Sequence, residues 1–222
     1  MTKKIPGAIK GRPRAFDREA VLDMALRLFW RRGFEGTAMS DLVEELKIVA
    51  PSIYAAFGSK EDLFTEAIAL YARKYGIALK DATEQASSSE AAVRAILLDA
   101  ARTFTRRGLP AGCFVANGML VWPPQQVNLA RVFKSKRALL VGALCEQIEA
   151  GIAAGELPRD TDARALGSYF GAVIEGMSVH ARDGATERTL RKIAEIAMQA
   201  WPRSEARAKR RRSRSARQTQ YG

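Results

Sequence analysis

A single histidine, His180, and two cysteines, Cys113 and Cys145, are all that this 222-residue sequence offers as imidazole or thiol ligands. One histidine cannot form a metal cluster or a catalytic pair with another. Two cysteines far apart, with no CxxC spacing, exclude a sequence-evident zinc site and a disulfide framework. Both thiols are expected to be reduced. HExxH, P-loop and GxGxxG motifs are missing, and no Ser/His/Asp or Cys/His arrangement is readable from spacing, so neither enzyme chemistry nor a cofactor or metal is expected. No apolar segment follows the basic N-terminus MTKKIPGAIKGRPRAF as a secretory signal requires, and a cytoplasmic location is expected. The longest charge-free run, residues 108–130, has the length of a membrane span, but Pro110, Asn117, Pro123, Pro124, Gln125, Gln126 and Asn128 interrupt it. It reads as protein interior.

What the sequence does have is apolar content and unevenly placed charge. A 47% hydrophobic and 27% charged composition suits a soluble globular chain with one substantial core or two modest ones. The net charge of +12 sits at the ends. Residues 1–14 carry Lys3, Lys4, Lys10, Arg12 and Arg14 without an acid, and residues 203–222 carry eight basic residues against Glu205, so the stretch between is neutral. A neutral globule with two basic ends points to a polyanion, nucleic acid or an anionic membrane surface; the alternative is solubilising tails.

Periodicity gives helices and no convincing strand. Asp17 caps a helix with Val21, Leu22, Ala25, Leu28 and Phe29 at 3.6-residue spacing, ending at Gly33. Thr37 is expected to cap a second, with Met39, Leu42, Val43 and Leu46 inward. After a turn at residues 47–49, a third starts near Ala50, with Pro51 in its first turn, and ends at Gly58. Ser59 to Asp62 reads as a capping box opening a long helix toward Ala86, and Ser87 with Glu90 opens another to Gly108. Further helices are expected at about 111–122, 127–154, 162–183 and 187–201. The tail from 203 has too little apolar content to fold alone.

Helices 39–46 and 50–57 joined by three residues make a helix-turn-helix, whose second helix enters the DNA major groove. Ile53 and Phe57 face the core, while Pro51, Ser52, Tyr54 and Ala55 face outward, the small residues among them letting the backbone approach bases; the Tyr54 ring is expected both to pack under the first helix and to hold its hydroxyl to a phosphate.

With its flanks, this segment resembles the tetracycline-repressor (TetR-like) family of bacterial transcription regulators. The resemblance is carried by Gly11-Arg-Pro-Arg14, AVLDMALRLFWRRGFEGTAMSDLVEELKI, PSIYAAFGSKEDLF and the AGCF segment at 111–114. It is strong over the first 65 or so residues and beyond them lies in helical layout and short segments. It implies an all-α dimer: an N-terminal three-helix helix-turn-helix DNA-binding domain, then a helical effector-binding and dimerisation domain that releases DNA. The expected boundaries are a basic arm at 1–14, the DNA-binding domain at 15–60, the second domain at 61–202 and a basic tail at 203–222. By matching position, Thr37, Ser40, Ser52, Tyr54 and Lys60 are implied phosphate or base contacts. Arg12 and Arg14 are expected in an adjacent minor groove, or else in a solvated arm. Two positions depart from the family: Lys47 replaces the usual turn glycine, and Val49 replaces the usual Ser or Asn cap.

Two readings of the second domain follow. Phe104, Cys113, Phe114, Met119, Trp122, Phe133, Phe170 and Met177 suit an apolar pocket for a small effector, or an ordinary core. Cys113 follows Gly112 at an expected helix start, where the dipole would activate a thiol; a buried structural cysteine is the other reading. Tyr169, Val173, Ile174 and Met177 on one helix, with Leu190, Ile193, Ala194 and Ala197 on the next, supply stripes for a four-helix homodimer interface, or pack within the chain. The expected partners are thus a palindromic double-stranded DNA operator, a small apolar effector and a second copy of the chain, without a membrane. The competing functions are an effector-independent architectural DNA-binding protein and a small-molecule-binding helical protein or enzyme.

Overall fold

The computed structural model describes residues 16–118 and 126–203, in which every regular element is helical. Helix α1 (Arg18–Arg32) starts where Asp17 accepts the N–H groups of Glu19 and Ala20, and stops at Gly33, whose φ of 73° suits a residue without Cβ. α2 (Met39–Leu46) and α3 (Ala50–Phe57) follow. Thr37 does not cap α2. Its side chain is fully buried and its hydroxyl donates to the Gly33 carbonyl at 2.7 Å, closing the corner between α1 and α2. The cap is supplied backwards, by Asp41 Oδ2 accepting from Ala38 N–H at 2.7 Å.

Between α2 and α3, Lys47 is the only non-glycine among the described residues with a positive φ (56°, ψ 33°). A left-handed conformation crowds Cβ against the carbonyl, at a cost of about 1 kcal/mol. Lys47→Gly is therefore expected to raise stability by about 1 kcal/mol. Urea unfolding of both proteins at one concentration checks this, and a less stable glycine variant would contradict it.

α4 (Lys60–Lys74) opens with the expected capping box: Asp62 N–H donates to Ser59 Oγ at 3.1 Å and Ser59 N–H to Asp62 Oδ2 at 2.9 Å. It ends at Tyr75, well short of Ala86, and a short α5 (Leu79–Glu84) follows. α6 (Ser89–Phe104) is capped by Ser88, one residue later than expected. Of the expected 111–122 helix the structure describes one turn, α7 (Phe114–Asn117). α8 (Val127–Ala153), α9 (Ala163–Arg182) and α10 (Glu187–Ala197) complete the described residues, with a 3-10 turn at Met198–Ala200.

Two apolar cores result. The first unites α1 to α4 and draws in Phe114, Leu129 and Phe133 from beyond. The second joins α6, α8, α9 and α10, closed by Trp201 against Phe170. A boundary at residue 60 thus falls at the head of a helix whose Leu63, Phe64, Ala67, Ile68, Leu70 and Tyr71 belong to the first core. α8 and α9 run antiparallel at close range: a Cβ on Gly167 would lie 2.5 Å from Cys145 Sγ, and one on Gly171 would lie 2.8 Å from Val141 Cγ2. No described helix is long and apolar enough to cross a membrane.

Candidate nucleic-acid interface

α3 is anchored from beneath and bare on top. Ile53 and Phe57, four residues apart, are buried, while Pro51, Tyr54 and Ala55 are exposed and Ser52 is half-buried. The Tyr54 side chain is 49% exposed, so its ring does not share the core and its hydroxyl is free to reach outward. Val49 offers no capping oxygen. The loss is contained, because Pro51 has no N–H and those of Ser52 and Ile53 both turn to the Val49 carbonyl, at 3.0 and 3.3 Å.

The frame around α3 is ionic. Arg18 on α1 donates to the Ala56 carbonyl at the end of α3, pairs with Glu66 on α4 at 2.6 Å and lies 4.4 Å over the Phe57 ring. Arg31 with Glu45 (2.7 Å) and Arg32 with Asp41 (2.9 Å) clamp α2 to α1. Sequence reasoning missed these arginines, since partner choice between helices leaves no spacing signal.

Ser40 is exposed at the head of α2. Lys60, at the head of α4, holds its ammonium 4.1 Å above the Phe34 ring. Burial draws its pKa down, against the pull of Glu35, Glu61 and Asp41, so the heads of α2 and α4 converge beside α3. Thr37 is corrected as a DNA contact: buried and donating to Gly33, it holds the corner and does not reach solvent. Arg12 and Arg14 lie outside the described residues.

The remaining expected sites are rearranged. Phe114 and Phe133 are buried in the first core, and Phe104, Phe170 and Met177 in the second, so the five are divided between the two. Met119 and Trp122 lie outside the described residues. Cys113 packs against both cores, accepting from the Tyr71 hydroxyl at 3.3 Å. Burial pushes its thiol up, outweighing the hydrogen bonds from Tyr71 and Ala116, which favours the buried structural cysteine over a dipole-activated thiol.

Of the dimer stripes, Ile174, Met177, Leu190, Ala194 and Ala197 are buried in the chain's own second core, with Val173 and Ile193 half-buried against it. For the five buried residues this is the internal packing, and it corrects their assignment to an interface. Tyr169 remains 41% exposed, and Val179 and Ile196, which the sequence reading passed over, are 49% and 65% exposed.

A three-helix head presenting the small face of its third helix, carried on an all-helical body, defines a helix-turn-helix DNA-binding regulator. The family model for bacterial regulatory proteins of the tetR family matches residues 21–67, and that for the tetracyclin repressor-like C-terminal domain matches 89–197. The HTH-type transcriptional repressor ComR of Escherichia coli (strain K12) is 35% identical over 196 residues, 87% of this chain and 92% of that protein. The TetR family transcriptional regulator CifR, solved as a cysteine mutant complexed with 26 bp double-strand operator DNA, superposes with a TM-score of 0.82. The two chains are 37% identical, the match covering 86% of this chain and all of that one. The chain belongs to the TetR family of transcriptional regulators.

Proposed function

We propose that this regulator is a homodimeric repressor that grips a palindromic operator through α3 and lets go when a small, largely apolar effector binds. The bare face of α3, over the anchors Ile53 and Phe57, carries the reading. In it Ser52, Tyr54, Pro51 and Ala55 meet bases or phosphates, with Ser40 and Lys60 on flanking phosphates. One short helix reads only a few base pairs, so two copies about 34 Å apart are needed to read successive major-groove faces. The outward faces of α9 and α10, with Tyr169, Val179 and Ile196 exposed, supply apolar surface for that pairing. The bond between head and body supports effector release, because Phe64 of α4 packs on Phe114 of α7 at 5.4 Å. An effector that favours one setting of that contact weakens operator binding, and the operator weakens effector binding by the same factor.

The test is the double variant Ser52→Ala, Tyr54→Ala, expected to weaken specific binding by at least about 2 kcal/mol, roughly thirtyfold. Fluorescence anisotropy on an operator selected from genomic fragments measures it, with circular dichroism to establish folding. Undiminished affinity in the folded double variant rejects α3 as the reading helix.

A further inference from the structure

Midway along α8 the inward stripe changes character. Phe133 belongs to the first core and Leu144 to the second, and one turn after Phe133 the same stripe carries Arg137. Its Nη1 is buried and meets no hydrogen-bond partner among the described residues. A guanidinium has five donors and no route to neutrality, so a buried donor without an acceptor is a standing penalty. α7 packs on α8 one turn before this level, and α9 runs alongside it. α7 sits so tightly on α8 that a Cβ on Gly118 would lie 2.2 Å from the Phe133 ring. On α9, Ser178 accepts from both Cys113 N–H and Asn117 Nδ2 at 2.7 Å. The antiparallel register that sets Gly171 against Val141 and Gly167 against Cys145 brings Glu175 level with Arg137. Glu175 is exposed and does not hydrogen-bond to the buried Nη1.

The geometry points to Arg137 as the anion-recognising residue of the effector site: the effector is a monocarboxylate with an apolar body, its carboxylate oxygens taken by the guanidinium at the seam between the two cores. This rests on the effector-release reading. The arginine fork matches a carboxylate in both shape and charge, whereas a neutral amide of the same skeleton keeps the apolar contacts and loses the charge-assisted bond. Arg137 as a whole is half-buried, and with Nη1 buried and unpaired, replacing the guanidinium by an apolar side chain of similar length is expected to be stabilising.

The experiment uses the full chain and a panel of benzoate, 4-phenylbutyrate, octanoate and decanoate, each against its primary amide, by isothermal titration calorimetry. Wild type is expected to bind at least one acid about tenfold or more tightly than its amide. Arg137→Met is expected to lose that preference, and Glu175→Gln to keep it. Without ligand, Arg137→Met is expected to melt about 2–4 °C higher, with operator affinity within about twofold of wild type. A lower melting point in Arg137→Met overturns the proposal, because it shows that the guanidinium has a structural partner such as Glu175. Acids and amides that bind equally well overturn it while leaving effector release standing. A panel in which no acid binds also overturns the monocarboxylate assignment and leaves effector release standing.

Discussion

Phe64→Ala is expected to lower the unfolding free energy by about 3–5 kcal/mol, the usual cost of removing a buried phenyl ring. Phe64 is fully buried and touches aromatics from four parts of the chain. It meets Phe29 of α1 edge-on at 4.8 Å, Phe34 of the following loop at 4.9 Å, Phe114 of α7 edge-on at 5.4 Å and Phe133 of α8 stacked at 5.7 Å. Ring pairs of this geometry each add about 0.5–1.5 kcal/mol beyond burial, although shared pairs do not sum. Three of the four neighbours are fixed on helices, so the space left behind collapses little. Urea unfolding at fixed protein concentration, followed by circular dichroism, gives the difference. A loss below about 1.5 kcal/mol would mean that the cluster relaxes around the gap and is not a rigid joint.

Asp23→Ala is expected to cost about 3 kcal/mol. The side chain is only 14% exposed and accepts from Tyr75 Oη at 2.5 Å, Arg27 Nε at 2.8 Å and Lys74 Nζ at 3.0 Å. Arg27 also donates to the Gly108 carbonyl at 3.2 Å, so the network ties α1 to the end of α4 and to the loop before α7. Burial alone would raise the Asp23 pKa, but the hydrogen bonds from Tyr75, Lys74 and Arg27 outweigh it and the net shift is downward. A carboxyl depressed in the folded state contributes stability above its unfolded pKa of about 3.9, and that contribution fades as pH falls through the folded value. The acid limb of the stability curve below about pH 4 should therefore be shallower in Asp23→Ala than in wild type. Asp23→Asn, which retains an acceptor, should lose less at neutral pH. Denaturant titrations from pH 3 to pH 7 measure both effects, and parallel acid limbs would remove Asp23 from the acid response.

The outward face of α3 was legible in the sequence because Ile53 and Phe57 set the phase of the helix and the remaining positions follow from helical geometry. α1 was legible for the same reason, with Asp17 and Gly33 marking its ends. The end of α4 was not. Gly76, just past the end of α4, is the stop signal that was passed over, and the chain restarts at α5, where Asp99, distant in sequence, accepts the Ala78 N–H at 2.9 Å. Thr37 failed as a cap because a threonine hydroxyl serves equally well as a donor to a carbonyl four residues back, and Asp41 had taken its place. The stripes of α9 and α10 were visible, but periodicity does not say which stripe turns to the chain's own core. Ile174 and Met177 turned inward and Val179 outward.

The aromatic joint at Phe64 bears on how such regulators can be recombined. A chimera that grafts this reading head onto a relative's body, cut at residue 60 where motif and remainder divide on paper, would carry Phe29 and Phe34 away from Phe64, Phe114 and Phe133. The transplantable unit ends after Tyr75, and it arrives with a socket that the recipient must fill with its own counterparts of Phe114 and Phe133. A head of this kind fits a new body only as far as those two rings match in size and position.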